Sequence, residues 1–219
     1  MSVTRNVPPP ALNDLAMELG QDGIRRILRL MSDAYHGLRA RGIITATMQE
    51  DEITEEWVVD IKLRWRQEPN IQLVPIQQKR DAYKAKRRGK APTIDFCFRD
   101  RLFPESYFGA ECKLLDEGSN TYLKAYLDEE EGIGRYLSGK YAASTGAGAM
   151  IGYVRTGDPK AVARELAPGI KALHGAPEFK ASQPLPDFDD LYESTHKRTD
   201  GVSPFQCFHM LLGFYCDAA

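Results

Sequence analysis

Two apolar segments in the middle of the chain have the pattern of buried β-strands. They are residues 92–98 (PTIDFCF) and 107–115 (YFGAECKLL), both rich in aromatic and branched side chains. A polar connection with a proline separates them, as is typical of a hairpin-like loop. Asp95, Glu111 and Lys113 interrupt the apolar pattern. Because charges are rarely buried unless they are paired or bind metal, these three residues are the first functional candidates.

Apolar spacing elsewhere predicts a chain of mixed helices and strands. Helices are predicted where apolar residues recur at spacings of three and four, over 11–42, 47–66, 121–141 and 158–173. Strands are predicted at 70–77 and 149–154, with a C-terminal β-hairpin formed by 192–196 and 205–215. The proline-rich, polar residues 175–190 are interpreted as a long loop. We expect an N-terminal helical extension (1–45) and an α/β domain (46–219) that includes the hairpin.

The three charged residues offer a specific chemistry. Glu111 and Lys113 are two positions apart, so on a strand they share one face, and Asp95 joins them if the two strands are neighbours. Two carboxylates can hold Mg²⁺, which lowers the pKa of a bound water and stabilises charge on a phosphoryl oxygen. A lysine beside them can orient that water. The alternative interpretation is a cross-strand salt bridge between Lys113 and one acid.

These residues resemble a known family. The string Pro92…Asp95, followed by Glu111-Cys-Lys113, is similar to the motif of the PD-(D/E)xK nuclease superfamily, although the proline precedes the aspartate by three positions rather than one. The resemblance covers residues 49–173. It implies the restriction-endonuclease-like α/β fold, a central mixed sheet flanked by helices. Its core runs helix, three strands, helix and a further strand, and the site is expected at one edge of the sheet.

The resemblance also implies roles for individual residues. The expected activity is phosphodiester hydrolysis by a Mg²⁺-dependent endonuclease, with Mn²⁺ as a substitute metal and DNA favoured over RNA. Asp95, Glu111 and the backbone carbonyl of Cys112 would bind the metal. Lys113 would orient or activate the attacking water.

Many members of the superfamily carry a further acid on the first core helix, and Glu50 is the candidate here. At 100° per residue it lies about 60° from Ile53 and about 20° from Trp57, on the inward face of the predicted helix. We therefore include Glu50 among the catalytic candidates. The alternative for Glu50 is a charge at the helix end, and Glu56 is the second choice for the helix acid.

Charge is concentrated in one segment. The chain has a net charge of −2, but residues 79–90 carry +6 and the remainder carries −8. Such a patch can neutralise phosphates, and its alternative is a solvated loop. Arg135 and Lys140 on the 121–141 helix are further candidates, against a plain amphipathic helix with a wet polar side. The nucleic-acid-binding candidates are Lys84, Lys86, Arg87, Arg88, Lys90, Arg135 and Lys140.

Composition indicates a cytoplasmic protein. No apolar run reaches the length of a membrane span, and the N-terminus lacks the apolar core of a signal peptide. The four cysteines form no Cys-x-x-Cys pair and are interpreted as reduced and buried. His196 and His209 could pair across the predicted hairpin as a second base or a phosphate contact, or as hydrogen-bonded structural residues.

Three function classes remain open on the sequence. The first is a nuclease of restriction or anti-phage defence, acting alone, as a homodimer, or as a subunit of a larger defence complex. The second is a catalytically inactive nucleic-acid-binding or scaffolding module with the same fold. The third is a structural protein in which Glu111 and Lys113 form a salt bridge.

Overall fold

The chain folds as a seven-stranded mixed β-sheet flanked by helices, in a computed structural model that describes residues 21–45, 47–68, 73–80, 93–100, 107–173, 175 and 177–214. The strands are β1 Val74–Arg80, β2 Thr93–Arg99, β3 Tyr107–Asp116, β4 Ala147–Thr156, β5 Phe179–Ala181, β6 Leu191–His196 and β7 Phe205–Gly213. The helices are α1 Gln21–Arg41, α2 Glu50–Trp65, α3 Asn120–Leu127, α4 Gly134–Leu137 and α5 Pro159–Ala172. The predicted α/β class with a central mixed sheet is confirmed.

The strand order is β1-β2-β3-β4-β7-β6-β5. The first three strands pair antiparallel, β3 pairs parallel with β4, and β4 pairs parallel with β7. Strands β6 and β5 then continue antiparallel from β7. The three parallel strands lie in the centre and are covered on both faces, which explains why β4 and β7 read as nearly continuous apolar runs.

Helices cover both faces of the sheet. On one face, α1 and α2 pack through a cluster that includes Met31 and Trp57, and the Trp57 Nε1 donates a hydrogen bond to the Met31 carbonyl at 3.1 Å. On the other face, α3, α4 and α5 pack through Tyr126, Tyr136 and Leu166. The buried stripe of α1 thus belongs to the same core as the sheet residues above it. Residues 1–20 lie outside the described residues.

Three elements differ from the sequence interpretation. The helix predicted over 121–141 is two short helices, because the Asp128 carboxylate accepts from the Glu130 and Glu131 amides and turns the chain after α3. The loop predicted over 175–190 contains the edge strand β5, which is only three residues long and too short for a periodic signal. The predicted C-terminal hairpin exists as β6–β7, but it is part of the central sheet rather than an addition to it.

The cysteines within the described residues are buried and free. They are Cys97, Cys112 and Cys207, and the fourth, Cys216, lies outside the described residues. Each of the three points from a central strand into the packed layers, where a thiol behaves as a small apolar group. The helices that the structure describes are also too short or too polar to cross a bilayer.

Candidate functional site

The candidate site lies where β2 and β3 stop pairing. Their ladder runs from Arg99 opposite Tyr107 to Phe96 opposite Ala110. Asp95 is the next residue on β2, and its Oδ2 accepts a hydrogen bond of 2.6 Å from the backbone amide of Cys112. A carboxylate therefore takes the place of a ladder acceptor at the end of the pairing, and this places Asp95 beside the Glu-x-Lys segment of β3.

Lys113 is at the centre of the site. Its Nζ donates to Glu111 Oε1 at 3.1 Å, to Glu50 Oε1 at 3.2 Å and to the Cys112 carbonyl at 2.8 Å. The Lys113 side chain is only 13% exposed. Glu111 and Lys113 share one face of β3, as their spacing predicts. Three oxygen atoms from two different elements thus converge on one largely buried ammonium group.

Glu50 reaches the site from the first turn of α2. Its second carboxylate oxygen, Oε2, accepts a hydrogen bond of 3.0 Å from the Leu114 amide. Glu52 does not join it, because its carboxylate accepts from the Gln49 amide at the start of the helix. Glu56, the second choice for the helix acid, is exposed to solvent. Of the two candidates, the structure brings only Glu50 to Lys113.

Arg135 contacts the site from the opposite face of the sheet. Its Nη1 donates to Glu111 Oε1 at 3.2 Å and also to the Tyr141 hydroxyl. That hydroxyl in turn donates to the Thr93 carbonyl at 2.5 Å, which connects the pair to the start of β2. Arg135 was predicted as a nucleic-acid contact only. The structure shows that it is also a hydrogen-bond partner of the candidate acid Glu111.

The position of Arg135 follows from close packing of its neighbour Tyr136. Gly109 and Gly148 are paired on β3 and β4, and a Cβ at Gly148 would lie 2.8 Å from the Tyr136 ring. The ring lies against these glycines, stacks on Phe205 at 5.2 Å between centroids, and donates its hydroxyl to the Ala149 carbonyl. A Cβ at Gly109 would overlap the Ile94 side chain and lie 3.3 Å from the Tyr136 hydroxyl, so neither glycine leaves room for a larger residue. The packed Tyr136 ring holds α4 against the sheet, and Arg135 is its neighbour in the chain.

Burial makes the carboxyl groups electrostatically costly. Burial, followed by the charge of Asp95, raises the pKa of Glu111 to about 8. Burial also raises the pKa of Asp95 to about 6, against the opposing charge of Lys113. Burial alone would lower the pKa of Lys113, but the carboxylates of Glu111, Glu50 and Asp95 outweigh it and raise that pKa. The Glu111 Oε2 atom is buried without a hydrogen-bond partner among the described residues. The site thus holds more buried acid than its two cations satisfy.

The donor set has the chemistry of a site for a hard cation. Two carboxylates and a backbone carbonyl meet at one cation, and such oxygen ligands suit Mg²⁺ or Mn²⁺. The cation at that point is the ammonium group of Lys113. Within the described part of the chain, no group of three or more His, Cys, Asp or Glu side chains is arranged to hold a metal ion. The carboxylate and carbonyl oxygens, with the unpartnered Glu111 Oε2, are the ligand types that a hard metal ion uses. In this structure the group that contacts Glu50, Glu111 and the Cys112 carbonyl is the Lys113 ammonium.

The remaining predicted residues lie elsewhere. Lys140 pairs with the exposed Glu130 and does not reach Glu111. His196 and His209 form a separate buried network, in which each donates to or accepts from the Ser194 hydroxyl, at 2.6 and 2.7 Å. The loop residues Lys84, Lys86, Arg87, Arg88 and Lys90 lie outside the described residues.

Sequence reasoning missed the backbone amides of Cys112 and Leu114, which hold Asp95 and Glu50 in place. Neither amide has a signal in the amino-acid string, because any residue could supply it. It also missed the hydrogen bond from Arg135 to Glu111. Gly132 and Gly134, just before Arg135, are the signal in the sequence that the chain turns there.

Comparison with known proteins adds no relative. No protein-family model, no curated protein and no solved structure matches the chain. The functional argument therefore depends on the site geometry and on the motif residues.

Proposed function

We propose that this chain is a metal-dependent nuclease of the PD-(D/E)xK type, with the restriction-endonuclease-like core. It hydrolyses phosphodiester bonds, with DNA favoured over RNA, in restriction or anti-phage defence. The observation that carries the proposal is the convergence of Glu50 and Glu111 on Lys113, with Asp95 hydrogen-bonded to the intervening Cys112 amide. The element order from α2 to β4, a helix, three strands, two short helices and a strand, agrees with the core that the motif implies.

The residues have distinct roles in this proposal. Asp95, Glu111 and the Cys112 carbonyl hold the metal, with Glu50 as a further acid. A bound Mg²⁺ or Mn²⁺ supplies acidification of a bound water and charge stabilisation at a phosphoryl oxygen. Lys113, which lies beside both carboxylates, would orient the attacking water. Arg135 keeps Glu111 in place through its 3.2 Å contact and adds positive charge beside the phosphate.

One experiment tests the activity directly. The protein is incubated with supercoiled plasmid, linear duplex and single-stranded DNA and RNA, with Mg²⁺, with Mn²⁺ and with EDTA. We expect cleavage with either metal and none with EDTA. Asp95→Asn and Glu111→Gln should each abolish cleavage and leave the circular dichroism spectrum unchanged, because each removes a ligand charge and keeps the side-chain shape. Glu130→Gln is the matched control, since Glu130 is 76% exposed and lies outside the site.

A second function is favoured by one observation. The cation that contacts Glu50, Glu111 and the Cys112 carbonyl is the ammonium group of Lys113. This arrangement suits a catalytically inactive nucleic-acid-binding or scaffolding module. Binding of nucleic acid that is unaffected by EDTA, without product in any of the reactions above, would favour that module over the nuclease. Cleavage by the Glu111→Gln variant at the wild-type rate would show that the assigned residue is wrong.

A further inference from the structure

A second candidate site lies at the far end of the sheet from Lys113. It is an open groove of about 290 Å³ between α5 and the strands β5 and β6, which we call the β5 groove. Strand β5 is the edge strand opposite β1, whereas the candidate active site lies on β2 and β3. None of the residues that line the groove belongs to the site around Lys113.

Two aromatic rings form one wall of the β5 groove. Phe179 and Tyr192 stack nearly parallel, with centroids 5.2 Å apart and an interplanar angle of 14°. The Phe179 ring also meets the imidazole of His209 edge-on at 5.1 Å. His209 is held by the Tyr126 hydroxyl at 2.9 Å and the Ser194 hydroxyl at 2.7 Å. The rings are therefore fixed from below and only half buried from above.

Small residues leave room beside the rings. Ala163 and Ala167 lie one turn apart on α5, and Ala181 lies on β5. No side chain beyond Cβ fills the groove at these three positions. A flat group can therefore enter beside the aromatic wall and stack, an arrangement that aromatic faces favour.

The charged residues that line the groove are all cations: Lys160, Arg164 and Lys180. Lys160 and Arg164 are four apart on α5 and share one face, and Lys160 lies in the first turn, where the helix dipole favours anions. Lys180 is paired with Glu193 at 3.3 Å. Asp158 and Asp190 lie close enough to act on the Tyr192 hydroxyl, but neither lines the groove. Lys160 in turn interacts with Asp190, so two of the three groove cations have an acid nearby. Arg164 acts on the Tyr192 hydroxyl and forms no ion pair among the described residues, so it is the main positive charge beside the stacking surface.

We propose that the β5 groove binds one nucleotide of a single-stranded nucleic acid. The base stacks against the Phe179–Tyr192 pair, and the flanking phosphates contact Lys160 and Arg164. Aromatic stacking platforms combined with cations are the means by which proteins bind single strands without reading sequence. The inference rests on the proposed function, since it takes nucleic acid as the ligand, and it adds the strandedness of that ligand. An acidic peptide pairing with β5 is disfavoured, because a strand of three residues offers few backbone hydrogen bonds.

The test measures binding in EDTA, so that hydrolysis does not interfere. The probes are fluorescent oligo(dT) and oligo(U) of about 15 nucleotides, which are long enough to span a site of this type, the corresponding duplex, free thymidine monophosphate as competitor, and a labelled polyglutamate peptide. The full-length chain is compared with Tyr192→Leu, which removes the ring, and with Tyr192→Phe, which keeps it. Arg164→Ala is compared with Lys171→Ala, an exposed lysine on the same helix outside the groove.

We expect Tyr192→Leu to weaken single-strand binding about 5- to 150-fold, since stacking of one base is worth about 1–3 kcal/mol. Tyr192→Phe should bind within about twofold of wild type, because the stacking face remains. Arg164→Ala should reduce the salt slope for a single strand by about 0.7, and Lys171→Ala should leave it unchanged. Duplex binding should not respond to Tyr192→Leu.

Four results would overturn the proposal. The first is equal single-strand affinity for Tyr192→Leu and Tyr192→Phe. The second and third are a change in binding by the variants that is seen only with thymidine monophosphate or only with polyglutamate. The fourth is an equal reduction of the salt slope by Arg164→Ala and Lys171→Ala. The proposed nuclease activity can fail independently. If the groove variants lose single-strand binding but the wild-type chain cleaves nothing, the groove stands and the nuclease proposal falls. If the wild-type chain cleaves nucleic acid but the groove variants bind single strands normally, the nuclease proposal stands and the groove proposal falls.

Discussion

At the scale of single residues, Lys113 is the counter-ion of the whole candidate site. Its ammonium contacts two carboxylates and a carbonyl, and Glu111 also accepts a hydrogen bond from Arg135. Buried ion pairs contribute little net stability, but removing one partner leaves an uncompensated buried charge. Lys113 therefore matters to folding as well as to the proposed chemistry.

We predict that Lys113→Met lowers the free energy of unfolding by about 3 kcal/mol, because Glu111 and Glu50 lose their shared cation in a buried position. Lys140→Met is the matched control. Its partner Glu130 is mostly exposed, so the loss there should stay below about 1 kcal/mol. Urea denaturation at pH 9, above the folded pKa of about 8 at which Glu111 becomes charged, measures both values.

The double variant Lys113→Met with Glu111→Gln should recover part of the lost stability, because it removes the unpaired acid as well. Equal losses for Lys113→Met and Lys140→Met would show that Lys113 does not compensate buried charge.

At the scale of elements, the hairpin β6–β7 contains a buried network of polar side chains. The Ser194 hydroxyl lies between His196 Nε2 and His209 Nε2, and His209 Nδ1 meets the Tyr126 hydroxyl. A hydroxyl has one proton, so Ser194 donates to one ring and accepts from the other. Burial, with the charge of Arg198 near His196, lowers the pKa of His196 to about 4, and burial lowers that of His209 to about 3. Both rings are neutral at physiological pH.

We predict that the two buried histidines of this network destabilise the fold in acid. As pH falls below 6.5, the ordinary histidine value, the unfolded chain binds protons that the folded chain does not, so the free energy of unfolding falls down to about pH 4. Each histidine contributes a slope of about 1.4 kcal/mol per pH unit. His209→Gln should reduce the slope by about that amount between pH 4.5 and 6. Urea midpoints at several pH values give the slopes.

Glu111 changes the free energy of unfolding with pH in the opposite direction to the histidines. Its folded pKa of about 8 exceeds the ordinary 4.5, so the folded chain holds that proton longer, and its contribution to stability falls as pH rises across this interval. Comparing His209→Gln with wild type cancels this contribution, because Glu111 is present in both. Identical slopes in the two proteins would mean that His209 is protonated in the folded chain.

At the scale of the whole molecule, charge is distributed unevenly. Residues 79–90 carry +6, and the rest of the chain carries −8. The segment begins with the last two residues of β1 and precedes β2, the strand that carries Asp95, in the sequence. We propose that its cations contact the phosphates of a bound nucleic acid.

We predict that replacing Arg87, Arg88 and Lys90 by Ala weakens binding of all sequences alike. The slope of log affinity against log salt should become shallower by about one unit per lost phosphate contact. Affinity is measured at several salt concentrations in an Asp95→Asn background, so that cleavage does not interfere. Lys171→Ala, on α5, is the control for loss of a positive charge. An unchanged slope would exclude the segment and leave Arg135 and Lys140 as the next candidates.

The sequence by itself determined the class of the fold and the central pair of strands. Period-two and continuous apolar runs mark strands, and spacings of three and four mark helices, because burial of one face is a local property of the string. The shared face of Glu111 and Lys113 is equally local, since the side-chain period of a strand is two. Helical geometry placed Glu50 on the inward face and made it the first candidate for the helix acid, with Glu56 as the second choice, and the contacts of Glu50 with Lys113 and Leu114 decide between them.

Only the tertiary structure decided what those side chains meet. The end of the β2–β3 ladder brings Asp95 to the Cys112 amide, and packing of α4 on the sheet through Tyr136 places Arg135 within reach of Glu111. The same holds for β5, whose three residues form a strand because β6 is there to pair with. These contacts join residues far apart in the chain, through backbone groups that every residue type possesses. Periodicity cannot encode them, whereas packing of the sheet against its two helical layers does.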